Sequence, residues 1–280
     1  MRPAIALLIT LLFVMLISLS IGLGLSSMQR ASATLNKEST LYQESMLLQD
    51  ILTILPQLPQ LRALAENNSS AELFAFLEEG AVFPLELGDK KMVLRFESAH
   101  AHFNINTLNK ESELLLRRYF TNNNVDNSYV DALKSAIDPK KQDFILSWDQ
   151  LHRITQEYSK SYDTQALEEI PLKHLFSLRE PYANQESIDL NYATAELWEL
   201  LLNTTKERAE ILAQNRGTYT SLSDLKLSAQ EKHTLEKFET TFFAPELLVF
   251  VELFNKESYF CISFRYNIAS KKGYDSVFEV

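Results

Sequence analysis

The sequence predicts an α+β protein in which a long N-terminal helix packs on a small antiparallel sheet, and a large all-helical insertion interrupts that sheet. Three observations predict it. An apolar run with no charged side chain lies between Arg2 and Arg30, and the chain continues without glycine or proline from Ala31 to Leu55. Segments rich in Val, Phe, Tyr and Ile, patterned as strands, occur on both sides of the middle of the chain. Between them, residues 104–240 carry helical spacing almost throughout.

The opening run is long enough, at about 1.5 Å per residue, for a helix of roughly 40 Å, more than the ~30 Å hydrocarbon core of a bilayer. A secretory signal has an apolar stretch of only about 7–15 residues and then a small-residue cleavage site. This run instead passes into further helix, and Arg2 before it favours a cytoplasmic N-terminus. Leu41, Leu48, Leu52 and Leu55 recur as one helical stripe, with polar residues on the other faces. Those four leucines are the candidate partner-helix face, burial against the chain's own sheet being the alternative. Pro56 and Pro59 end the helix, giving about 50 residues in all.

A turn at Asn67–Ser70 and a short helix from Ala71 to Glu79 follow. Lys91–Glu97 alternates as a strand. Leu247–Phe254, Ser258–Ile268 and Tyr274–Val280 supply three more, separated by turns at Asn255-Lys256 and Lys271-Lys272-Gly273. The expected sheet therefore takes one strand from before the middle section and three from after it. In the middle, helices are expected over Glu111–Tyr119, Ser128–Ile137, Phe144–Tyr158, Ala193–Leu202, Lys206–Gln214 and Ser228–Phe238. Asn106 or Thr107, and Asn191, are the expected N-caps, and Thr194 or the residues just before it stand close to a capping arrangement.

Composition excludes several classes of function. The net charge of -10 argues against a partner bound through nucleic-acid phosphates, which needs a basic face. Of the six glycines two lie in the apolar run, and Gly80, Gly88, Gly217 and Gly273 are isolated, so no glycine-rich phosphate loop can form. The single cysteine, Cys261, reads as a structural thiol on a strand and permits no intramolecular disulfide. His100 and His102 are expected on one strand face; two imidazoles without a third ligand suit a solvated strand end better than a metal. No catalytic motif is present, and the expectation is a protein that is not an enzyme. Asn68, in Glu66-Asn67-Asn68-Ser69-Ser70, fits a bacterial glycosylation pattern.

The segment Ala4-Ile5-Ala6-Leu7-Leu8-Ile9-Thr10-Leu11-Leu12 resembles the start of the type II secretion minor pseudopilins of the K subfamily (general secretion pathway protein K), with a short basic leader before it. The resemblance extends to Asn104-Ile105-Asn106-Thr107 and Asn191-Tyr192-Ala193, a pair that covers both ends of the insertion, and to the layout of a helical block placed between strands of one sheet. It implies a pilin-like α/β module and processing by prepilin peptidase between Ala4 and Ile5, with Pro3/Ala4 the alternative. It also implies an apolar residue, Ile9, where most pilin-like proteins carry a glutamate. A carboxylate at membrane depth is costly unless paired, and its absence suits a subunit with nothing stacked above it.

The domains expected on this basis are a leader at 1–4, a transmembrane helix at 5–29 and its periplasmic continuation at 30–55. The α/β module is expected from 56–103 and 241–280, and the helical insertion from 104–240. The implied role is a cap on the tip of the secretion pseudopilus for protein export, held by a single pass through the inner membrane with the globular part in the periplasm. The implied partners are minor pseudopilins I and J, other pseudopilins, the inner-membrane secretion platform and prepilin peptidase. Calcium is the one metal implied, near Asp138, although Pro139 and Lys140 stand where the family often continues Asp-x-Asp. Asp189–Leu225 resembles a helix-hairpin-helix repeat that lacks hairpin glycines at Leu202-Asn203-Thr204-Thr205. The alternative reading is therefore a membrane-anchored binding or DNA-uptake protein, and a less favoured third is an anchored hydrolase.

Overall fold

The computed structural model describes residues 45–67, 69–78, 81–87, 90–181, 187–255 and 258–279. The chain divides into two units, 1–57 and 58–280. In the first, helix α1 covers residues 45–54 and passes into a 3-10 turn at Leu55–Gln57. Pro56 sits inside that turn, where the missing amide hydrogen bond matters little. Among the described residues no helix is long and apolar enough to cross a membrane. The apolar run, Ala4, Ile5, Ile9 and Leu41 lie outside the described residues.

The second unit is a mixed assembly of helices and antiparallel sheet. It opens with α2 (Pro59–Asn67), an element the sequence reading missed. Pro59 does not end a helix here; it is the first residue of a new one, where its fixed φ is favourable and its lost donor would be unpaired anyway. Helix α3 (Ser70–Glu78) follows.

The sheet has five strands in the order β1-β2-β7-β8-β9, all neighbours antiparallel. They are β1 (Val82–Leu87), β2 (Lys90–Ser98), β7 (Glu246–Asn255), β8 (Ser258–Asn267) and β9 (Lys272–Glu279). Two strands precede the insertion, not one. Pro84 disguised β1, yet β1 is an edge strand, the place in a sheet that tolerates proline. Alternation sorts the faces: Met92, Leu94 and Phe96 are buried while Lys91, Arg95 and Glu97 are exposed. Leu247, Val249 and Val251 of β7 and Ile262, Phe264 and Tyr266 of β8 are likewise buried. Phe76 of α3 closes this face against Phe83 and Phe96, with ring centroids 5.9 Å apart in each case.

The insertion runs from Ala99 to Pro245, and it is built as two halves with the same opening device. In the first, β3 (Phe103–Asn104) pairs in parallel with β4 (Phe176–Ser177). Between them lie α4 (Lys110–Asn122), α5 (Tyr129–Ser135), α6 (Trp148–Ser159), α7 (Gln165–Glu168) and α8 (Leu172–Leu175). In the second, β5 (Ile188–Asp189) pairs in parallel with β6 (Thr240–Thr241) around α9 (Ala195–Leu202), α10 (Lys206–Gln214) and α11 (Ala229–Leu235). The insertion is thus not all-helical; two-residue strands are too short to show a period in sequence.

Asn106 and Asn191 are not N-caps. Each is a buried amide clasping backbone far away in sequence. Asn106 accepts from the Ile145 amide at 2.9 Å and donates to the Ile145 and Arg179 carbonyls at 2.9 and 2.8 Å. Asn191 accepts from the Tyr219 amide at 2.9 Å and donates to the Tyr219 and Phe242 carbonyls at 2.9 and 2.7 Å. Two residues upstream, Asn104 and Asp189 each accept from the backbone of their clasp, at 3.1 and 3.0 Å. The caps are Asn109 on α4, Ser147 on α6 and Ser228 on α11, all three full capping boxes, and Thr194 on α9, the one the sequence pointed to. Ser147 also explains why α6 starts at Trp148 and not at Phe144.

The second half rests on α3. Phe74 packs on Tyr192 at 5.3 Å, and Arg216 pairs with Glu78 at 3.0 Å. Between them Gly217 has φ +75, and a Cβ there would meet the Phe74 ring, 2.6 Å from Cγ. Both the left-handed backbone and the close ring demand glycine. Gly217→Ala is expected to lower stability by about 2–3 kcal/mol, roughly 1 from the backbone and the rest from the displaced ring. Chemical denaturation of the single variant and of Gly217→Ala/Phe74→Ala checks this: against a Phe74→Ala background the alanine should cost only the backbone share.

Candidate functional site

The insertion carries an open groove of about 630 Å³. One face of α6 forms its floor: Trp148, Leu151, His152 and Thr155 recur at helical spacing, and Ile170 and Lys173 form part of the opposite wall. Trp148 is partly exposed, and the Lys173 ammonium lies 5.6 Å from its ring centroid. The other tryptophan, Trp198, is fully buried in the core of the second half, edge-on to Tyr219. The lining is mostly apolar, with His152, Thr155 and Lys173 among its polar members.

The helix-hairpin-helix resemblance has a structural counterpart, by a route the sequence hid. Helices α9 and α10 form a hairpin although no glycine is present. Asn203 takes the left-handed conformation, φ 47 and ψ 50, which asparagine tolerates better than other side chains. Thr205 then caps α10 by accepting from the Arg208 amide at 3.4 Å. Arg208 itself turns inward, donating to the Leu225 and Lys226 carbonyls and to Glu231. The amide and the cation that could have met a phosphate are thus engaged within the protein.

Asp138 closes a turn. Its backbone exchanges hydrogen bonds with Asp143 at 2.9 and 3.1 Å, one carboxylate oxygen accepts from the Lys140 amide at 3.1 Å, and the other pairs with Lys141 at 3.1 Å. A calcium ion at this carboxylate would have to displace Lys141. Among the described residues no group of three or more His, Cys, Asp or Glu side chains could hold a metal ion. In the first unit Leu48 and Leu52 are half-buried and Leu55 is buried. Asn68 lies outside the described residues.

His100 and His102 do not share a strand face; they lie in the turn after β2. His102 is held at a pKa of about 4 by burial and by the nearby His174 and Arg179. His100 is 4% exposed and sits where the insertion meets the sheet. Its Nδ1 lies 2.6 Å from the Ser187 carbonyl and its Nε2 lies 2.8 Å from Glu246 Oε2. Arg265 Nη2 donates to the same carboxylate oxygen, and Asp275 stands 3.7 Å from Arg265 Nη1. The His100 carbonyl accepts from the Asp189 amide at 2.9 Å, and Asp189 Oδ2 accepts from the Ala244 amide at 2.9 Å. No short-range signal marks this cluster, because His100 and Glu246 are 146 residues apart.

No family model matches the chain, and no curated protein matches it. Among solved structures the chain is similar to one in the crystal structure of the GspK-GspI-GspJ complex from the enterotoxigenic Escherichia coli type 2 secretion system. The identity is 10%, the match covers 88% of this chain and 99% of that one, and the TM-score is 0.47.

Proposed function

We propose that the chain is a non-enzymatic minor pseudopilin of the K type, assembling with minor pseudopilins I and J at the tip of a type II secretion pseudopilus. The observation that carries this reading is the pairing of β2 directly with β7 across the whole insertion, combined with an N-terminal apolar run that has Ile9 in place of a carboxylate. A five-stranded sheet closes as one module while the helical block stands outside it, so the block adds bulk without breaking the module. Such bulk fits a subunit that ends a thin fibre and does not fit one stacked within it.

In this reading prepilin peptidase cuts between Ala4 and Ile5, residues 5–29 cross the inner membrane, and the remainder lies in the periplasm. Leu41, Leu48, Leu52 and Leu55 are the residues proposed to contact partner helices, and of these Leu48 and Leu52 are half-buried on the helix. Other pseudopilins and the inner-membrane platform would be met through the same helix. The groove on α6 is the insertion's candidate contact surface.

The test uses the full chain expressed with its leader, prepilin peptidase and minor pseudopilins I and J. Intact mass should show loss of residues 1–4, and the processed chain should co-purify with I and J. An unprocessed membrane form that ignores both partners would overturn the reading. The second reading, a membrane-anchored DNA-uptake protein, is favoured by the α9–α10 hairpin and opposed by the net charge and the internal engagement of Arg208. Retention of duplex DNA by the full chain at moderate salt would revive it.

A further inference from the structure

The junction of insertion and sheet gathers charge at one buried point. His100 leaves β2, Asp189 belongs to β5, Glu246 opens β7 and Arg265 lies on β8, with Asp275 of β9 behind Arg265. Arg179, just after β4, donates to the Ala99 carbonyl. His100, Glu246 and Arg265 are each less than 5% exposed. This point ties together the entry, the middle and the exit of the insertion: Ala99–His100, Ser187–Asp189 and Ala244–Glu246 all meet there.

The geometry leaves little freedom over protons. The Ser187 carbonyl can only accept, so His100 Nδ1 carries a hydrogen. Between Nε2 and Glu246 Oε2 there must be one more, because two bare acceptors 2.8 Å apart repel. Arg265 on the same oxygen favours the ionised carboxylate, which puts that hydrogen on His100. We propose that this cluster is a proton-operated latch that fixes the insertion to the sheet, with Asp189 and Glu246 setting the limits of the pH range in which it is closed.

The two carboxyl groups act in opposite directions. Burial alone would raise Glu246, but His100 and Arg265 outweigh it and hold the carboxyl below its usual 4.5. A group depressed in the folded state stabilises above its unfolded value, and that contribution is lost as pH falls through the folded one. Glu246 therefore opens the latch on the acid side, below about pH 4.5. Burial raises Asp189 to about 6 against the pull of the Asn191 and Ala244 amides and of His100. A carboxyl raised in the folded state stabilises at low pH, and that contribution is lost as pH rises through the folded value. Asp189 therefore loosens the latch progressively from its unfolded value of 3.8 up to about pH 6, above which no more is lost, and closure is tightest at about pH 4–4.5.

Hydrogen–deuterium exchange of the full chain in detergent, from pH 3 to 8 and corrected for intrinsic rates, tests this. Peptides covering residues 97–104, 187–192 and 243–248 should be best protected at about pH 4–4.5. Protection should fall by up to about tenfold per pH unit as pH rises from there to about 6, level off above 6, and fall again on the acid side. Glu246→Gln should remove the acid limb and Asp189→Asn the other. The asparagine copies residue 104 at the matching place in the first half. His100→Gln, which takes one cation from Glu246, should move the acid limb to higher pH. Protection at these peptides that is flat from pH 3 to 8 in the unmodified chain would overturn the proposal, whether or not the variants fold. So would folded Glu246→Gln and Asp189→Asn variants that keep the full two-sided profile.

Discussion

Asn191→Ala is expected to cost about 3–5 kcal/mol and to melt the second half of the insertion ahead of the sheet. The substitution removes three hydrogen bonds at once, from the Tyr219 amide and to the Tyr219 and Phe242 carbonyls. Asn191 is fully buried, so the freed backbone groups have no ready access to water. Each buried polar group left unpaired costs about 1–3 kcal/mol. Loss of the Phe242 contact also frees the stretch after β6 that closes the half. Chemical denaturation followed by Trp198 fluorescence checks the magnitude, since Trp198 lies edge-on to Tyr219 in this core. Asn191→Asp separates shape from hydrogen bonding: it keeps the acceptor for the Tyr219 amide but turns two donors into an acceptor facing carbonyls. It should be no milder than alanine. Asn106→Ala should show a comparable loss in the first half.

Glu246→Ala is expected to cost about 3–5 kcal/mol at neutral pH, because it leaves Arg265 and His100 buried without their shared counter-charge. Removing one member of a buried ion group is far worse than removing all of them, since a well-packed apolar replacement spares the desolvation. The variant His100→Leu/Glu246→Leu/Arg265→Met should therefore recover much of the stability lost by Glu246→Ala. It should also lose the acid limb of the junction's pH dependence while Asp189 keeps the other. Equilibrium urea denaturation of the single and triple variants decides this; a triple variant less stable than Glu246→Ala would show that packing, not charge, dominates the site.

The parts of the fold that were legible in sequence are those whose physics is local and repetitive. Strands β2, β7, β8 and β9 alternate cleanly, and Lys206–Gln214 reads as a helix to the residue. Pro59 and Pro84 misled for one reason: each occupies a position where proline is tolerated, the first residue of α2 and an edge strand. Asn106 and Asn191 resembled caps because cap chemistry is written within four residues. Their actual partners are as much as 73 residues away along the chain, and no spacing rule reaches that far. Asn203 hid a hairpin by doing a glycine's work. The His100, Glu246 and Arg265 cluster was invisible because its members belong to three elements brought together only by the completed sheet. The apolar run with Ile9, which supports the proposed function, is a matter of composition and lies outside the described residues.

The register Ser98↔Leu247 has a mechanical consequence. The two chain ends of the insertion leave the sheet directly opposite each other, roughly 5 Å apart, and the Ala99 amide donates to the Glu246 carbonyl at 3.1 Å just beyond them. Tension applied along β2 and β7 is therefore borne by the ladder between them and bypasses the helical block. The block behaves as a load hung from a closed stem: it can be jolted, exchanged or shortened to a tight loop while the stem keeps carrying force.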